Sequence, residues 1–306
     1  MVAALLADLF ESHRAHLLSV AYRLTGSVGD AEGAVQESWL RLAGTHQSEI
    51  EDLGAWLTTV VSRICLDRLH SAAVRREAYV GQWLPEPVVT ALSPSSLPDP
   101  LNELVRKHEY RLAAMVALDS LTPPQRVAFV LHDGLSVPFG EIAEILDLSP
   151  DAARQLAVRA REAVAQTPEP VPDAEHEAAV RRLLDALNTG DIGAVTAALH
   201  PNSVMIGDAN GTTATAIDVL YGAERIAGFI LGLRKHGLDG SAGTPAIEFE
   251  FALVNGQLGL VLKSFEAGAL PGVYRTSVVG FTVRDGLVWG AYDLANPDKL
   301  SGLRLG

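Results

Sequence analysis

Cysteine is all but missing: Cys65 is the single thiol in 306 residues. An internal disulfide and a cysteine-based zinc cluster are excluded, and the usage suits a reducing compartment. No metal or cofactor site is expected. No apolar run nears the ~20 residues that span a bilayer. The first residues lack a basic segment followed by an apolar core, so neither a secretory signal nor membrane association is expected, and the location expected is cytoplasmic. Positive charge is short as well. The chain carries 24 Lys/Arg against 37 Asp/Glu, a net charge of −13. The deficit is even: 14 against 21 in residues 1–167, and 10 against 16 in residues 168–306. A protein that coats nucleic acid by bulk electrostatics is therefore disfavoured. Any DNA contact has to come from local clusters, with a partner to assist it.

Proline is absent from residues 4–78, where Leu57, Val60, Val61 and Ile64 repeat at helical spacing. Five prolines then fall within residues 83–100, which reads as an extended, semi-rigid linker. A second helical block runs from about 101 to 165. Thr167–Pro172 is a second linker. Beyond it the pattern becomes α+β with an antiparallel sheet. Strand-like runs lie near 202–207, 212–219, 245–254, 257–265 and 273–293, with a helix near 222–236. Asn255-Gly256 and Asp285-Gly286 are hairpin turns.

Residues 139–164 carry the sharpest local signal. Ile142, Ala143 and Leu146 line one face of a short helix, and Leu148 fills the turn that follows. Asp147 tolerates the left-handed conformation that such turns need. Ser149 caps the next helix, Pro150 suits its first position and Asp151 its dipole. Ala153, Leu156, Ala157 and Ala160 form the buried seam. This is the pattern of a DNA-reading helix-turn-helix, with Arg154, Gln155, Arg159 and Arg161 outward for bases or phosphates. The alternative is a plain helical hairpin with solvated arginines.

In residues 30–42, Val35, Trp39 and Leu42 share one face of an acidic amphipathic helix, and Asp30, Glu37 and Arg41 lie toward another. Residues 56–76 turn basic toward their end. Arg63 and His70 share a face, and Arg68 and Arg75 a neighbouring one. With Arg76, and with Trp56 and Tyr79 for stacking, that surface suits unwound DNA. Charge complementation of a helix C-terminus explains the same residues equally well.

In this order the segments resemble the extracytoplasmic-function sigma factors of bacterial RNA polymerase. Leu18–Leu42 is similar to their core-binding region, Trp56–Arg76 to their promoter-melting and minus-ten region, and Leu121–Leu131 with the helix-turn-helix to their minus-thirty-five domain. The resemblance implies polymerase contact by Asp30, Gln36, Glu37 and Trp39. It implies promoter-DNA contact by Arg63, Arg68, Arg75 and Arg76, and by Arg154, Gln155, Arg159 and Arg161. Gly33 stands where that core-binding helix commonly carries an acidic residue.

The C-terminal block resembles the SnoaL-like cone of the nuclear-transport-factor-two superfamily, which some sigma factors (the SigJ-like type) carry fused. Trp83-Leu84-Pro85-Glu86-Pro87 and Asn296-Pro297-Asp298-Lys299-Leu300 resemble the linker and tail signatures of that group. The group's Gly-rich segment in an early strand is replaced here by Gly207–Thr212. The implied architecture is two all-α domains, a sigma-2 domain (1–80) and a sigma-4 domain (104–166). They are joined by a linker (81–103) and followed by a short linker (167–173), an α+β SnoaL-like regulatory domain (174–295) and a tail (296–306). The implied function is a non-enzymatic one: recruiting core RNA polymerase to promoter DNA, with an intramolecular regulatory contact from the cone domain and room for a small-molecule ligand in its cavity. The alternative is a SnoaL-type enzyme or ligand sensor with an accessory DNA-binding module. Its acid–base candidates are Asp191, His200, Asp208, His236 and Asp293.

Overall fold

Without proline, the first 76 residues have nothing to interrupt helical hydrogen bonding except Gly26 and the Gly44–Asp52 turn region. They form α1 (Val2–Thr25), α2 (Val28–Ala43) and α3 (Leu53–Arg76). The computed structural model describes residues 2–46, 48, 50–76, 79–92, 111–212, 215–238, 247–264, 276–301 and 303. The chain divides into two units. The first holds residues 2–76 and 114–167, and the second holds residues 79–92, 111–113 and the chain from Pro168 onward. The two helical domains expected from the sequence thus fall into one unit.

In the first unit, α1–α3 bury Leu17, Ala21, Ala34, Val35, Leu57 and Val61 among themselves. They are followed by α4 (Leu112–Asp119), α5 (Pro123–Leu135), α6 (Phe139–Leu146) and α7 (Pro150–Val164). Asp147 takes the left-handed conformation at φ 54°, as its position between α6 and α7 requires. The Ser149 side chain accepts from the Ala152 amide at 3.3 Å. The seam differs in detail from expectation. Ile145, not Leu146, joins Ile142 and Ala143 in the core, and Leu148 is 44 % exposed instead of filling the turn. The left-handed Asp147 reverses the chain at once, so Leu148 points away from the crossing.

Arg126 on α5 anchors this unit. It is 1 % exposed, donates through Nε to the Arg23 carbonyl at 2.9 Å and pairs with Asp119 at 2.6 Å. A buried guanidinium is tolerable only with such partners, and they tie α1, α4 and α5 together.

The second unit contains α8 (Asp173–Thr189), α9 (Ile192–Ala198), α10 (Ala223–Leu238) and a seven-stranded sheet. Its strands are β1 (Val89–Ala91), β2 (Leu199–Asp208), β3 (Leu220–Tyr221), β4 (Ile247–Val254), β5 (Gln257–Ser264), β6 (Thr276–Arg284) and β7 (Leu287–Leu294). A short helix, α11 (Pro297–Leu300), ends the described elements. The spatial order is β1-β4-β5-β6-β7-β2-β3. Asn255-Gly256 and Asp285-Gly286 close the two-residue hairpins, all four residues having positive φ. Val180, Leu183, Ile226, Leu260, Phe281 and Val288 fill the core between helices and sheet.

Three features depart from the sequence reading. The sheet is mixed, because β2 runs parallel to β7; no hairpin joins these two, so nothing forces them antiparallel. The described residues of the run at 212–219 form no strand, and the pairing on this side of β2 comes from Leu220–Tyr221. Its described part folds back over β2 so closely that a Cβ on Gly207 would meet Thr215 Oγ1 at 2.2 Å and the Ala216 backbone at 2.8 Å. Lastly, the proline-rich stretch is no free spacer. Residues 79–92 belong to the second unit, and β1 adds an edge strand to β4 with Val89 opposite Val254. Pro85 and Pro87 lack the amide a ladder needs, so pairing starts beyond them. The remainder of the expected linker, from residue 93, and the start of the expected sigma-4 domain lie outside the described residues.

His176 on α8 is 1 % exposed, with Nε2 3.1 Å from the Phe281 carbonyl. Burial pushes its pKa below the usual value, so the folded chain keeps the ring neutral. The unfolded chain then binds the extra proton first as pH falls, and stability is lost below about pH 6.5. Urea midpoints of the C-terminal unit are expected to drop between pH 7 and 5. His176→Gln should flatten that dependence.

Candidate polymerase, promoter and linker-clamp sites

The residues assigned to polymerase contact cluster on α2. Gln36 is exposed and Trp39 half-buried. Both line a groove of about 420 Å³ with Phe10, Glu11, Arg14 and Glu32, and the Trp39 ring lies 5.1 Å from that of Phe10. Asp30 and Glu37 sit on the side of α2 that faces α3. There Arg68 lies within 3.6 Å of both carboxylates, and Glu37 also holds Arg41 at 2.6 Å.

The arginines assigned to promoter contact differ in their engagement. Arg63 donates to the Glu144 carbonyl of α6 at 2.9 Å. Arg68 donates to the Asp30 carbonyl at 2.6 Å. Arg75 and Arg76 end α3, but their side chains lie outside the described residues. On α7, Arg154 pairs with Asp151 at 2.8 Å and stands 5.3 Å from the Phe139 ring centroid. Arg161 pairs with Asp133 of α5 at 2.6 Å. Gln155 and Arg159 are exposed, and no ion pair holds Arg159 among the described residues. The helix-turn-helix arginines are therefore not equivalent, something spacing alone could not show. Tyr79, expected to stack beside the α3 arginines, is instead committed inside the second unit.

That commitment is the most fully built site in the chain. Asp208, at the end of β2, has no exposed surface. Its carboxylate accepts from the Tyr79 hydroxyl, from the Leu84 amide at 2.7 Å and from Lys299 Nζ at 2.6 Å. Lys299 also donates to the Leu84 carbonyl and stands 3.3 Å from the centroid of the Trp83 ring. Trp83 and Tyr79 meet edge-on at 4.9 Å. Asn296 donates to the Tyr79 hydroxyl at 2.8 Å, and its own oxygen caps α11 by accepting from the Asp298 amide at 3.1 Å. Burial, then the Asp208 carboxylate, pushes the Tyr79 phenol above its ordinary pKa. Farther along, the Val88 amide donates to Asn255 Oδ1 at 3.1 Å and the Asn255 amide returns a bond to the Val88 carbonyl at 2.8 Å.

The linker and tail signatures thus converge on one carboxylate. Leu84, Pro85, Pro87 and Leu300 are buried and Glu86 is half-buried, while Pro297 and Asp298 face solvent. Sequence reasoning assigned Tyr79 to base stacking and Asn255 to a hairpin turn, and weighed Asp208 for acid–base chemistry and as part of the Gly207–Thr212 replacement segment, not as an ion-pair partner of the linker and tail. The available signal was a lone Asp closing an apolar strand, which demands a cationic partner once buried. Among the described residues, the other acid–base candidates each have a partner of their own. Asp191 caps α9 by accepting from the Gly193 amide at 2.8 Å. His200 Nε2 is 3.7 Å from exposed Asp285. Asp293 accepts from Thr215 at 2.8 Å. The His236 side chain lies outside the described residues. A recess of about 370 Å³ is lined by Asp173, His176, Glu177, Arg181 and Gln257 with Leu92 and neighbouring apolar groups.

A three-helix block followed by a capped helix-turn-helix, with a fused mixed-sheet unit, defines a transcription initiation factor with a C-terminal extension. Family comparison makes this specific. Sigma-70 region 2 matches residues 9–75, and Sigma-70, region 4, matches residues 111–164. The ECF RNA polymerase sigma factor SigJ of Mycobacterium tuberculosis is 50% identical over 301 residues, covering 96% of this chain and 92% of that one. The probable ECF RNA polymerase sigma factor SigI of the same species is 33% identical over 275 residues, covering 87% and 90%. The crystal structure of M. tuberculosis SigJ matches with a TM-score of 0.80 and 46% identity, covering 98% of this chain and all of that one. The chain belongs to the extracytoplasmic-function RNA polymerase sigma factors, a family of transcription regulators that directs initiation at promoters. Its mixed-sheet unit is consistent with the SnoaL-like fold. Among the described residues no helix is long and apolar enough to cross a membrane.

Removing the Lys299 cation would leave the Asp208 carboxylate buried without its counter-charge. Lys299→Met is expected to destabilise the C-terminal unit by about 3–5 kcal/mol in urea unfolding. Adding Asp208→Asn to it should recover part of the loss, since the buried charge is then gone.

Proposed function

We propose that this chain, acting in the cytoplasm, docks core RNA polymerase through Asp30, Gln36, Glu37 and Trp39 of α2. It reads the upstream promoter element through α7, and opens the downstream element with the basic end of α3. We further propose that the C-terminal unit regulates this activity by gripping the segment between the two promoter-reading parts. The observation that carries the regulatory reading is the clamp on Asp208. The chain enters it three residues after α3 ends, and the segment held there is the one that must span the two promoter elements. An intramolecular regulator working this way needs no separate inhibitor protein.

The helical unit supports a resting state that must open. Arg63 of α3 touches Glu144 of α6 directly. The two promoter elements lie more than two helical turns apart, so roughly 70 Å or more of duplex separates their centres at ~34 Å per turn. One compact unit cannot serve both, and holoenzyme formation would draw α3 and α7 apart. Within α7, exposed Gln155 and Arg159 are the best placed to read base edges. Arg154 can exchange its exposed Asp151 partner for DNA at little cost, since surface ion pairs are weak. Arg161, held by Asp133, is better suited to fixing the pose of α7 on α5.

Run-off transcription with purified core polymerase tests the reading. Core alone should give no promoter-dependent transcript, and core with the full chain should. Arg159→Ala should cost roughly ten- to a hundredfold in promoter affinity, corresponding to the ~1–3 kcal/mol of a bidentate base contact. Arg161→Ala should cost less and be matched by Asp133→Ala. Cutting the chain after residue 167 or before Asn296 should change transcript yield while leaving α1–α3 folded. Equal yield from full-length and cut chains at every promoter tried would remove the regulatory reading and leave the initiation reading standing.

A further inference from the structure

Arg68 was grouped with the promoter-melting arginines, yet its surroundings are those of a brace. Its guanidinium lies across α2 at Gly33, where an added Cβ would stand 2.8 Å from Nη1 and 3.1 Å from Nη2. From there Nη1 donates to the Asp30 main-chain carbonyl at 2.6 Å and lies 3.6 Å from the Asp30 carboxylate. Nη2 lies 3.6 Å from Glu37. Asp30 and Glu37 are seven residues apart, two turns along one face of α2, and a single planar guanidinium spans them. Its side chain is only 27 % exposed. Three acceptors hold it against the neighbouring helix, leaving little of it for a phosphate.

The geometry points to Arg68 as a positioning residue that fixes Asp30 and Glu37 on the polymerase-docking face of α2, with Gly33 as the gap that admits it. Here a side chain is forgone, and the cation of α3 occupies the space. The consequence is a mechanical link between the helix that meets polymerase and the helix that opens DNA: moving the α3 backbone at Arg68 pulls on both acidic residues of α2. The inference rests on the assignment of α2 to polymerase docking.

The test measures affinity of full-length chain for core polymerase without DNA, and open-complex formation on a duplex promoter, in a double-mutant cycle. Arg68→Ala is expected to weaken core binding roughly five- to tenfold before any DNA is added. Arg68→Lys should fail to restore it, because an ammonium cannot span both carboxylates; a phosphate contact would tolerate Lys. Gly33→Ala keeps Arg68 but displaces its guanidinium, so it should reproduce the loss in core binding. It should not reduce thermal stability, alanine being the better helix former. In the Arg68→Ala background, Gly33→Ala should change core binding by less than about twofold. Native core affinity for Arg68→Ala, with loss confined to open-complex formation, would overturn the proposal and return Arg68 to DNA contact. Full additivity of the two substitutions would overturn it as well. Gln36→Ala, on α2 but away from the brace, checks the underlying assignment. If it binds core normally, the docking reading of α2 fails and the positioning role falls with it. The brace itself would still show in unfolding, where Gly33→Ala should stabilise more without Arg68 than with it.

Discussion

A carboxylate with no access to water organises the C-terminal unit. Asp208 closes β2, and its burial is tolerable only because an ammonium, a phenol and a main-chain amide all point at it. Two of these donors come from the segment after α3 and one from the chain's tail. Segments far apart in sequence are thereby fixed on the same pair of oxygen atoms. The aromatic faces of Trp83 and Tyr79 wall the ammonium from solvent, so the Coulombic attraction is little screened. Asn255 supplies a second, neutral hold at Val88, after which the backbone can pair as β1. The polar contacts come first along the chain, and the strand pairing follows from them.

The helical unit uses a different device. Three of its arginines reach main-chain carbonyls on other helices: Arg126 to Arg23, Arg63 to Glu144 and Arg68 to Asp30. A carbonyl is available at any position whatever the side chain there, and accepting from a cation makes a stronger bond than a neutral donor would. The three contacts differ in burial. Arg126 is sealed in and holds the unit together, Arg68 is partly covered, and Arg63 is exposed. Exposure ranks the ease of release. The contact between α3 and α6 is the cheapest to break, and it is also the one that the proposed opening would break. On that reading, a closed resting state would cost the holoenzyme little to undo.

Much of this was legible in residue patterns. The capped second helix, the left-handed Asp147 and the two hairpin turns depend on local backbone chemistry, which sequence states directly. The α1–α3 core likewise follows from period. What stayed hidden depends on partners distant in the chain. Nothing local distinguishes Arg159 from Arg161; only the approach of Asp133, 28 residues away, does. Proline content argued against a helix at 83–87, and none forms there, but a segment without helix serves equally as spacer or as strand neighbour. The choice was made by Asn255 and Asp208, well over a hundred residues on. The antiparallel expectation failed at β2 for the same reason: hairpin turns can be read locally, while a crossover pairing cannot.

The acidic character of the chain takes on a definite meaning against this geometry. Most cations whose side chains are described are spent internally, on carboxylates or carbonyls. The exposed, unpaired positive charge on α7 comes down to Arg159, with Arg154 held only by a surface pair. So small a basic surface cannot compete for promoter DNA through counterion release, which needs many phosphate contacts. On the proposed reading, affinity would come from polymerase, leaving to the sigma factor the choice of sequence. In such a division of labour the regulator gains most by acting on geometry. In the proposed regulation, a clamp that fixes the segment between the two reading parts would set whether both can engage one promoter. Regulation of the proposed kind, with its grip on the linker, would be independent of promoter sequence, so that one buried ion pair would govern every promoter the chain reads.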